Sequence, residues 1–149
     1  MTVLVREANF DDKPEWLKLR QSLWPACSKE RHIEEIEAYL ADPEKAVFLA
    51  TLGDGKIVGF IEESLRRDYV EGCETSPVAY LEGIYVLEEY RGKGIAKVLI
   101  QNAERWAASH GCTEMGSDAE LTNQGSINMH LRLGFEEANR VVHFVRQIG

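Results

Sequence analysis

The sequence has no cysteine pair at Cys-x-x-Cys spacing; Cys27, Cys73 and Cys112 are odd in number and widely separated. Together with the four histidines they make no metal-ligand pattern, so three reduced thiols and no metal are expected. Long apolar runs are missing too. None approaches the roughly 20 residues that cross a bilayer, which excludes a spanning segment. The opening residues Met1-Thr2-Val3-Leu4-Val5-Arg6-Glu7 lack the charged start and apolar stretch of a signal peptide, so the cytoplasm is the expected location. Positive charge is scarce: a net charge of −8 argues against nucleic acid, which favours basic stripes, and agrees with a cationic ligand.

What is present suits one domain, 1–149, with a single substantial core. Val3 to Ala8 reads as a strand. Asp11-Asp12-Lys13-Pro14-Glu15 reads as a capped helix start with proline in the first turn, followed by Trp16, Leu19 and Leu23 at helical spacing. Ser28 caps a second helix, with Ile33, Ile36 and Leu40 as its stripe. Ala46 to Leu52 and Lys56 to Leu65 read as strands joined by Gly53-Asp54-Gly55, a strong hairpin signal. Val78 to Leu87 is a further strand. Gly94 to His110 is the clearest helix, with Ile95, Val98, Leu99, Ala103 and Trp106 on one face. Thr113 to Ser117 is a short strand, Gln124 to Leu133 a helix, and two last strands are expected within Phe135 to Ala138 and Val141 to Gln147. The order predicts a mixed α/β (α+β) layout around one sheet.

Tyr90-Arg91-Gly92-Lys93-Gly94-Ile95-Ala96 falls between a strand and the strongest helix. Glycine and alanine leave the N–H groups of the helix start uncovered. Those groups lack intrahelical acceptors and lie at the positive end of the helix dipole, so the segment suits a phosphate. Arg91 and Lys93 can add charge. The spacing Arg91-x-x-Gly94-x-Ala96 is neither the eight-residue phosphate loop of ATPases nor the three-glycine dinucleotide fingerprint. It resembles the acetyl-coenzyme A loop of the GCN5-related N-acetyltransferases (GNAT). The order of elements resembles that fold from end to end, and implies a central, mostly antiparallel sheet whose fourth and fifth strands are parallel and splayed.

Asn123-x-x-Ser126-x-x-x-His130-x-x-x-Gly134-Phe135 keeps the spacing of a second family region. There the resemblance implies that Asn123 contacts the pantetheine arm and Ser126 lies in the same cofactor-binding region. His130 stands where the family usually has Tyr, the proton donor to the departing thiolate. An imidazole can fill that role, or simply line the cofactor channel. In the strand Val78 to Leu87, alternation predicts Tyr80, Glu82, Ile84 and Val86 on one side. A Glu among apolar neighbours is costly unless it faces a cleft or a partner. Asp118 follows the next strand, so Glu82 and Asp118 are expected to flank an incoming amine and accept its proton. Backbone N–H groups around Tyr85 and Val86 are candidates to polarise a thioester carbonyl.

Ser22-Leu23-Trp24-Pro25, Arg67 to Cys73, Ser76 to Val86 and Gly111 to Asp118 are similar, in order, to the aminoglycoside 6′-N-acetyltransferases. The resemblance implies transfer of acetyl from acetyl-CoA to the 6′-amine by direct attack in a ternary complex, conferring antibiotic resistance. It places Trp24, Tyr69, Glu82 and Asp118 around the antibiotic, with Asp118 as favoured base. Asp68, Glu71, Glu74 and Glu136 would make the cleft acidic towards a polycationic sugar, and Trp24 and Tyr69 can stack on it. It further implies a homodimer, with the last strand a candidate for exchange between subunits. Acetylation of another small polyamine or a protein amine, and a non-catalytic acetyl-CoA sensor, are the alternatives.

Overall fold

Residues 2–149 are described by a computed structural model. The chain forms two compact units, one ending at Asp118 and the other Ala119–Gly149.

The first unit is built on a five-stranded sheet in sequence order: β1 (Val3–Glu7), β2 (Lys45–Leu52), β3 (Ile57–Arg66), β4 (Val78–Val86) and β5 (Met115–Ser117). The first four strands pair antiparallel, and β4 and β5 are parallel. The Gly53-Asp54-Gly55 turn makes the expected hairpin, with Lys56 N–H donating to Asp54 Oδ1 at 3.0 Å. Helices α1 (Lys13–Leu23) and α2 (Lys29–Ala41) cover one face, where Trp16, Leu19, Ile36, Val47, Leu49 and Phe60 form the core. Helix α3 (Ile95–Ser109) covers the other, burying Ile95, Leu99, Ile100, Ala103 and Ala107. Trp106, expected on that face, is half-buried there, packed against the cluster of Ala79, Ala107 and Cys112 and beside His110.

Three local expectations are corrected. Asp12 does not cap α1 with its side chain. Its carboxylate accepts from Asn9 N–H and pairs with Arg6, which closes a 3₁₀ turn over Phe10–Asp12 capped by Asn9. Helix α2 buries Ile36 as expected but turns His32 and Tyr39 inward beside it, where Ile33 and Leu40 were expected, because His32 is claimed by a buried polar network. The third correction concerns β4. Its register against β3 shifts between Glu62 and Glu63: Glu62 lies opposite Gly83 and Glu63 opposite Leu81, so Glu82 is the extra residue of a β-bulge. Alternation is reset there. Tyr80, across from Ser64, shares the α1–α2 face with Tyr85, across from Phe60, while Ile84 and Val86 point to the α3 face. The expectation of Tyr80, Glu82, Ile84 and Val86 on one side fails for its last two members.

The second unit holds α4 (Gln124–Arg132), with Asn123 as its cap. Residues 135–149 contain no strand, against the two expected there. A strand needs a partner for its backbone N–H and C=O groups. Here the apolar residues Val142, Phe144 and Val145 are instead 76%, 93% and 93% exposed. No helix among the described residues is long and apolar enough to cross a membrane.

Candidate active site

The β4–β5 ladder is short. It pairs Ala79 with Met115, Tyr80 with Gly116 and Leu81 with Ser117, and then ends while β4 runs on to Val86. The bulge at Glu82 begins at that point. Ligands in open sheets gather beyond carboxyl ends of strands, and here β4, still paired with β3, has no strand on its β5 side from Glu82 onward.

The two predicted carboxylates are linked through other side chains. Tyr80 Oη donates to Asp118 Oδ2 at 2.5 Å. The Arg66 guanidinium lies 3.4 Å from the centroid of the Tyr80 ring and donates to both Glu82 oxygens at 3.1 Å. Ser64 Oγ also donates to Glu82, at 2.5 Å. Burial and the Asp118 charge push the Tyr80 phenol well above its ordinary pKa, so it stays a proton donor at working pH. The cost of placing Glu82 beside the core is offset by these three hydrogen bonds from Arg66 and Ser64. Neither Tyr80, Arg66 nor Ser64 was marked as functional in the sequence. The only prior sign was that Tyr80 sits two residues from Glu82 on the same strand.

Trp24 ends α1 and lies over Gly83, the residue after the bulge; a Cβ on Gly83 would overlap the indole. A buried network holds it there. Arg20 Nε donates to His32 Nδ1 at 3.1 Å, so His32 carries its proton on Nε2 and donates it to the Trp24 carbonyl at 3.2 Å. Arg20 also grips Glu62 at 2.5–2.6 Å and reaches Glu35, and Trp16 Nε1 donates to Glu62 at 2.8 Å. Burial raises the Glu62 pKa, against the lowering effect of Arg20. Sequence reasoning missed Arg20 and His32, because charged residues on an amphipathic helix ordinarily face water.

The loop between β3 and β4 carries three further acidic candidates, Asp68, Glu71 and Glu74. Val70 is buried against Val78 and Tyr80, which anchors the loop between β3 and β4. Asp68, Tyr69 and Glu71 flank it and are exposed, with Tyr69 at 76%. Tyr69 Oη lies 3.4 Å from Glu71. Glu74 turns its backbone N–H to Glu114. Trp24, Glu82, Asp118 and the Tyr69 loop are therefore brought to one end of the β4–β5 pair.

The glycine loop is built as its composition implies. Gly92 and Gly94 have φ of +76° and +82°, left-handed values that disfavour other residues. Gly94 is the N-cap of α3, no side chain caps that end, and no acidic residue lies in its first turn. A Cβ on either glycine would meet nothing within 4 Å, so the space over the helix start is open. Lys93 and Lys97 are exposed beside it. This cradle fits a pyrophosphate. Arg91, expected at the phosphates, donates from Nε to the Val86 carbonyl at 2.8 Å and lies 5.2 Å from the Tyr85 ring centroid. It ties the loop to the end of β4.

In the second unit, Asn123 Oδ1 accepts from Ser126 N–H at 3.1 Å. His130 Nδ1 donates to the Ser126 carbonyl at 2.7 Å, and its ring packs edge-on against Phe135 at 5.2 Å. A thiolate would then take its proton from Nε2, which is protonated only in the imidazolium form. Glu136 is exposed after Phe135. Among the described residues no group of three His, Cys, Asp or Glu side chains is placed to hold a metal ion.

The chain resembles known proteins in sequence and fold. The sequence model described as the acetyltransferase (GNAT) family matches residues 14–135. An aminoglycoside N(6′)-acetyltransferase type 1 of Serratia marcescens is 45% identical over 141 residues, covering 95% of this chain and 97% of that protein. The crystal structure of the aminoglycoside 6′-N-acetyltransferase AAC(6′)-Ih from Acinetobacter baumannii superposes with a TM-score of 0.94 at 41% identity, covering 99% of this chain and 100% of its own. That of AAC(6′)-Iy, in complex with the bisubstrate analogue CoA-S-monomethyl-acetylneamine, gives 0.92 at 39% identity, covering 99% and 100%. The chain thus belongs to the GNAT acetyltransferase family and, within it, to the aminoglycoside 6′-N-acetyltransferases.

Proposed function

We propose that this protein acetylates the 6′-amine of aminoglycosides with acetyl-CoA and so confers resistance to them. The observation that carries the reading is the pairing of two features in one unit. An open, uncapped anion cradle starts α3, and two carboxylates, linked through Tyr80 and Arg66, flank the point where β4 and β5 part. The match to family 14–135 runs across both compact units, which supports 1–149 as one acetyltransferase domain.

Acetyl-CoA supplies an activated acyl thioester. Gly92 to Ala96 and the lysine at 93 are suited to hold its pyrophosphate, and Asn123, Ser126 and His130 its pantetheine arm. At neutral pH the acceptor amine is largely an ammonium ion and cannot attack a carbonyl. Asp118 takes its proton, and Glu82 holds the charge of the same or a neighbouring ammonium. The amine nitrogen then attacks, with Tyr85 and Val86 N–H groups polarising the carbonyl; the C–S bond breaks as the thiolate takes a proton from His130, and the nitrogen sheds its second proton to solvent. Trp24 and Tyr69 give flat faces on which a sugar ring stacks, while Asp68, Glu71 and Glu136 add negative potential that draws in a polycation. No cysteine is needed as nucleophile: Cys112 is buried with its pKa raised by burial, and Cys73 is raised likewise.

We place the protein in the cytoplasm, where acetyl-CoA is made. We also read it as a homodimer. The exposed apolar segment Val141-Val142-His143-Phe144-Val145 suits pairing with a second copy, by exchange of the last segment.

Release of free CoA with kanamycin or tobramycin, followed by product regiochemistry, tests the activity. Turnover of spermidine or peptides with none of any aminoglycoside would overturn it. Asp118→Asn should lower kcat by about 10²–10⁴-fold with acetyl-CoA affinity kept; an unchanged kcat would move the base role to Glu82 acting through water. Light scattering giving a single-chain mass would dispose of the dimer.

A further inference from the structure

The mechanism asks Asp118 to present a carboxylate in a fixed direction, yet its own surroundings give it little support. It follows a strand of only three residues and its side chain is exposed. An exposed carboxylate on a short edge strand samples several rotamers, and a proton acceptor must be held in one geometry to act efficiently. What holds it comes from the neighbouring strand. Tyr80 pairs with Gly116 in the parallel register, which places Asp118 two residues beyond the pair and within reach of the phenol. The hydroxyl meets Oδ2 at 2.5 Å.

The ring that carries this hydroxyl is fixed on several sides. Tyr80 is 8% exposed and packs with Val70 and Val78. Arg66 lies 3.4 Å from its ring centroid and is itself pinned by both oxygens of Glu82. Gly116 makes room for Val70, which packs on the ring: a Cβ there would come within 2.7 Å of Val70 Cγ1, while its 3.4 Å approach to Tyr80 Cδ1 is ordinary contact. A donor this constrained does more than satisfy a buried hydroxyl, since the simplest way to satisfy it would be water or a backbone carbonyl.

We propose that Tyr80 is a positioning residue for the acetyl transfer: its hydroxyl anchors Asp118 Oδ2, orienting the carboxylate so that Oδ1 receives the amine proton. The Arg66 stack couples that anchor to Glu82, so one packed pair sets the spacing of both carboxylates. Tyr80 itself neither gains nor loses a proton in the reaction. This rests on Asp118 being the base.

The test is a double-mutant cycle on kanamycin acetylation with Tyr80→Phe, Asp118→Asn and the double variant, measuring kcat, both KM values and the melting temperature. Tyr80→Phe keeps the ring and its packing, and should lower kcat about 10- to 100-fold, with KM for acetyl-CoA within twofold. In the Asp118→Asn background the same change should alter kcat less than twofold. As a second variant, Gly116→Ala displaces Val70 from beside the ring without touching either bonded group, and should lower kcat in wild type but not beside Asp118→Asn. Tyr80→Phe with wild-type kcat, while Asp118→Asn is inactive, overturns the proposal and leaves the base intact. An equal loss from Tyr80→Phe in both backgrounds overturns it in favour of a structural role. Wild-type kcat in Asp118→Asn removes the base reading itself, and the proposal with it.

Discussion

Replacing Glu63 by Gln should stabilise the protein, by an amount that grows as pH rises. Glu63 lies in β3 next to the bulge, is fully buried, and neither carboxyl oxygen has a hydrogen-bond partner. Burial pushes its pKa from 4.5 up to about 9. In the folded protein it therefore stays protonated, whereas in the unfolded chain it ionises from about 4.5 upward. Stability is undiminished below 4.5 and is lost progressively until the folded group itself ionises near 9. Each pH unit in that window costs about 1.4 kcal/mol, so the folded state gives up about 3 kcal/mol by pH 7 and about 6 kcal/mol at the upper limit. Glu63→Gln removes this pH-dependent part and keeps the shape. At pH 7 the melting temperature should rise about 6–12 °C at the usual 2–4 °C per kcal/mol for a chain of this length. Glu63→Leu also removes the unbonded polar atoms and should add about 1–3 kcal/mol more. Urea unfolding of wild type and Glu63→Gln at intervals from pH 5 to pH 9 measures the difference directly. A difference that stays flat over that range, or a wild type more stable than the variant at pH 8, would refute the reasoning.

Gly83→Ala should raise the aminoglycoside KM and lower stability by about 1–3 kcal/mol, because its methyl displaces the Trp24 indole; steady-state kinetics and thermal melts check both. Gly94→Ala forces a left-handed residue at the α3 cap and should raise KM for acetyl-CoA several-fold at about 1 kcal/mol of stability, read by calorimetric titration of CoA. Arg20→Met strands the buried Glu62 carboxylate and should cost about 3–5 kcal/mol in urea unfolding. If Arg20→Met melts like wild type, the buried pair is not what holds α1 to β3.

The order of elements up to α4 and the glycine cradle were legible because each rests on local chemistry. Gly53-Asp54-Gly55 turns a hairpin wherever it occurs between apolar runs, and Gly92 and Gly94 supply a backbone geometry that others resist. The bulge was not legible. Nothing in Leu81-Glu82-Gly83 announces an extra residue, and simple alternation assigned Ile84 and Val86 to the wrong face. The register is decided by the partner strand, where Glu62 is drawn to Arg20 and Trp16 on one side and Glu63 turns to the other. Arg20 and His32 were hidden for the same reason: their burial depends on a glutamate more than 25 positions away in β3. Of the site residues, Glu82, Asp118 and Trp24 came from their strand ends and from resemblance, whereas Tyr80 and Arg66 emerge only from pairing registers. The last two strands were overread because an apolar alternation records a capacity to pair, and pairing requires a second edge.

Arg91 shows where the ordering cost of donor binding is met. Its guanidinium fastens the start of the glycine loop to the final carbonyl of β4, with Tyr85 beneath it. The loop is thereby folded together with the sheet rather than shaped by its ligand, so little conformational entropy remains to be lost on binding. The same tether makes donor and acceptor halves mechanically interdependent. A substitution in β4 chosen to change which sugar amine is accepted will also move the anchorage of the anion cradle. Specificity engineering in that strand should therefore be scored on CoA affinity as well as on the antibiotic.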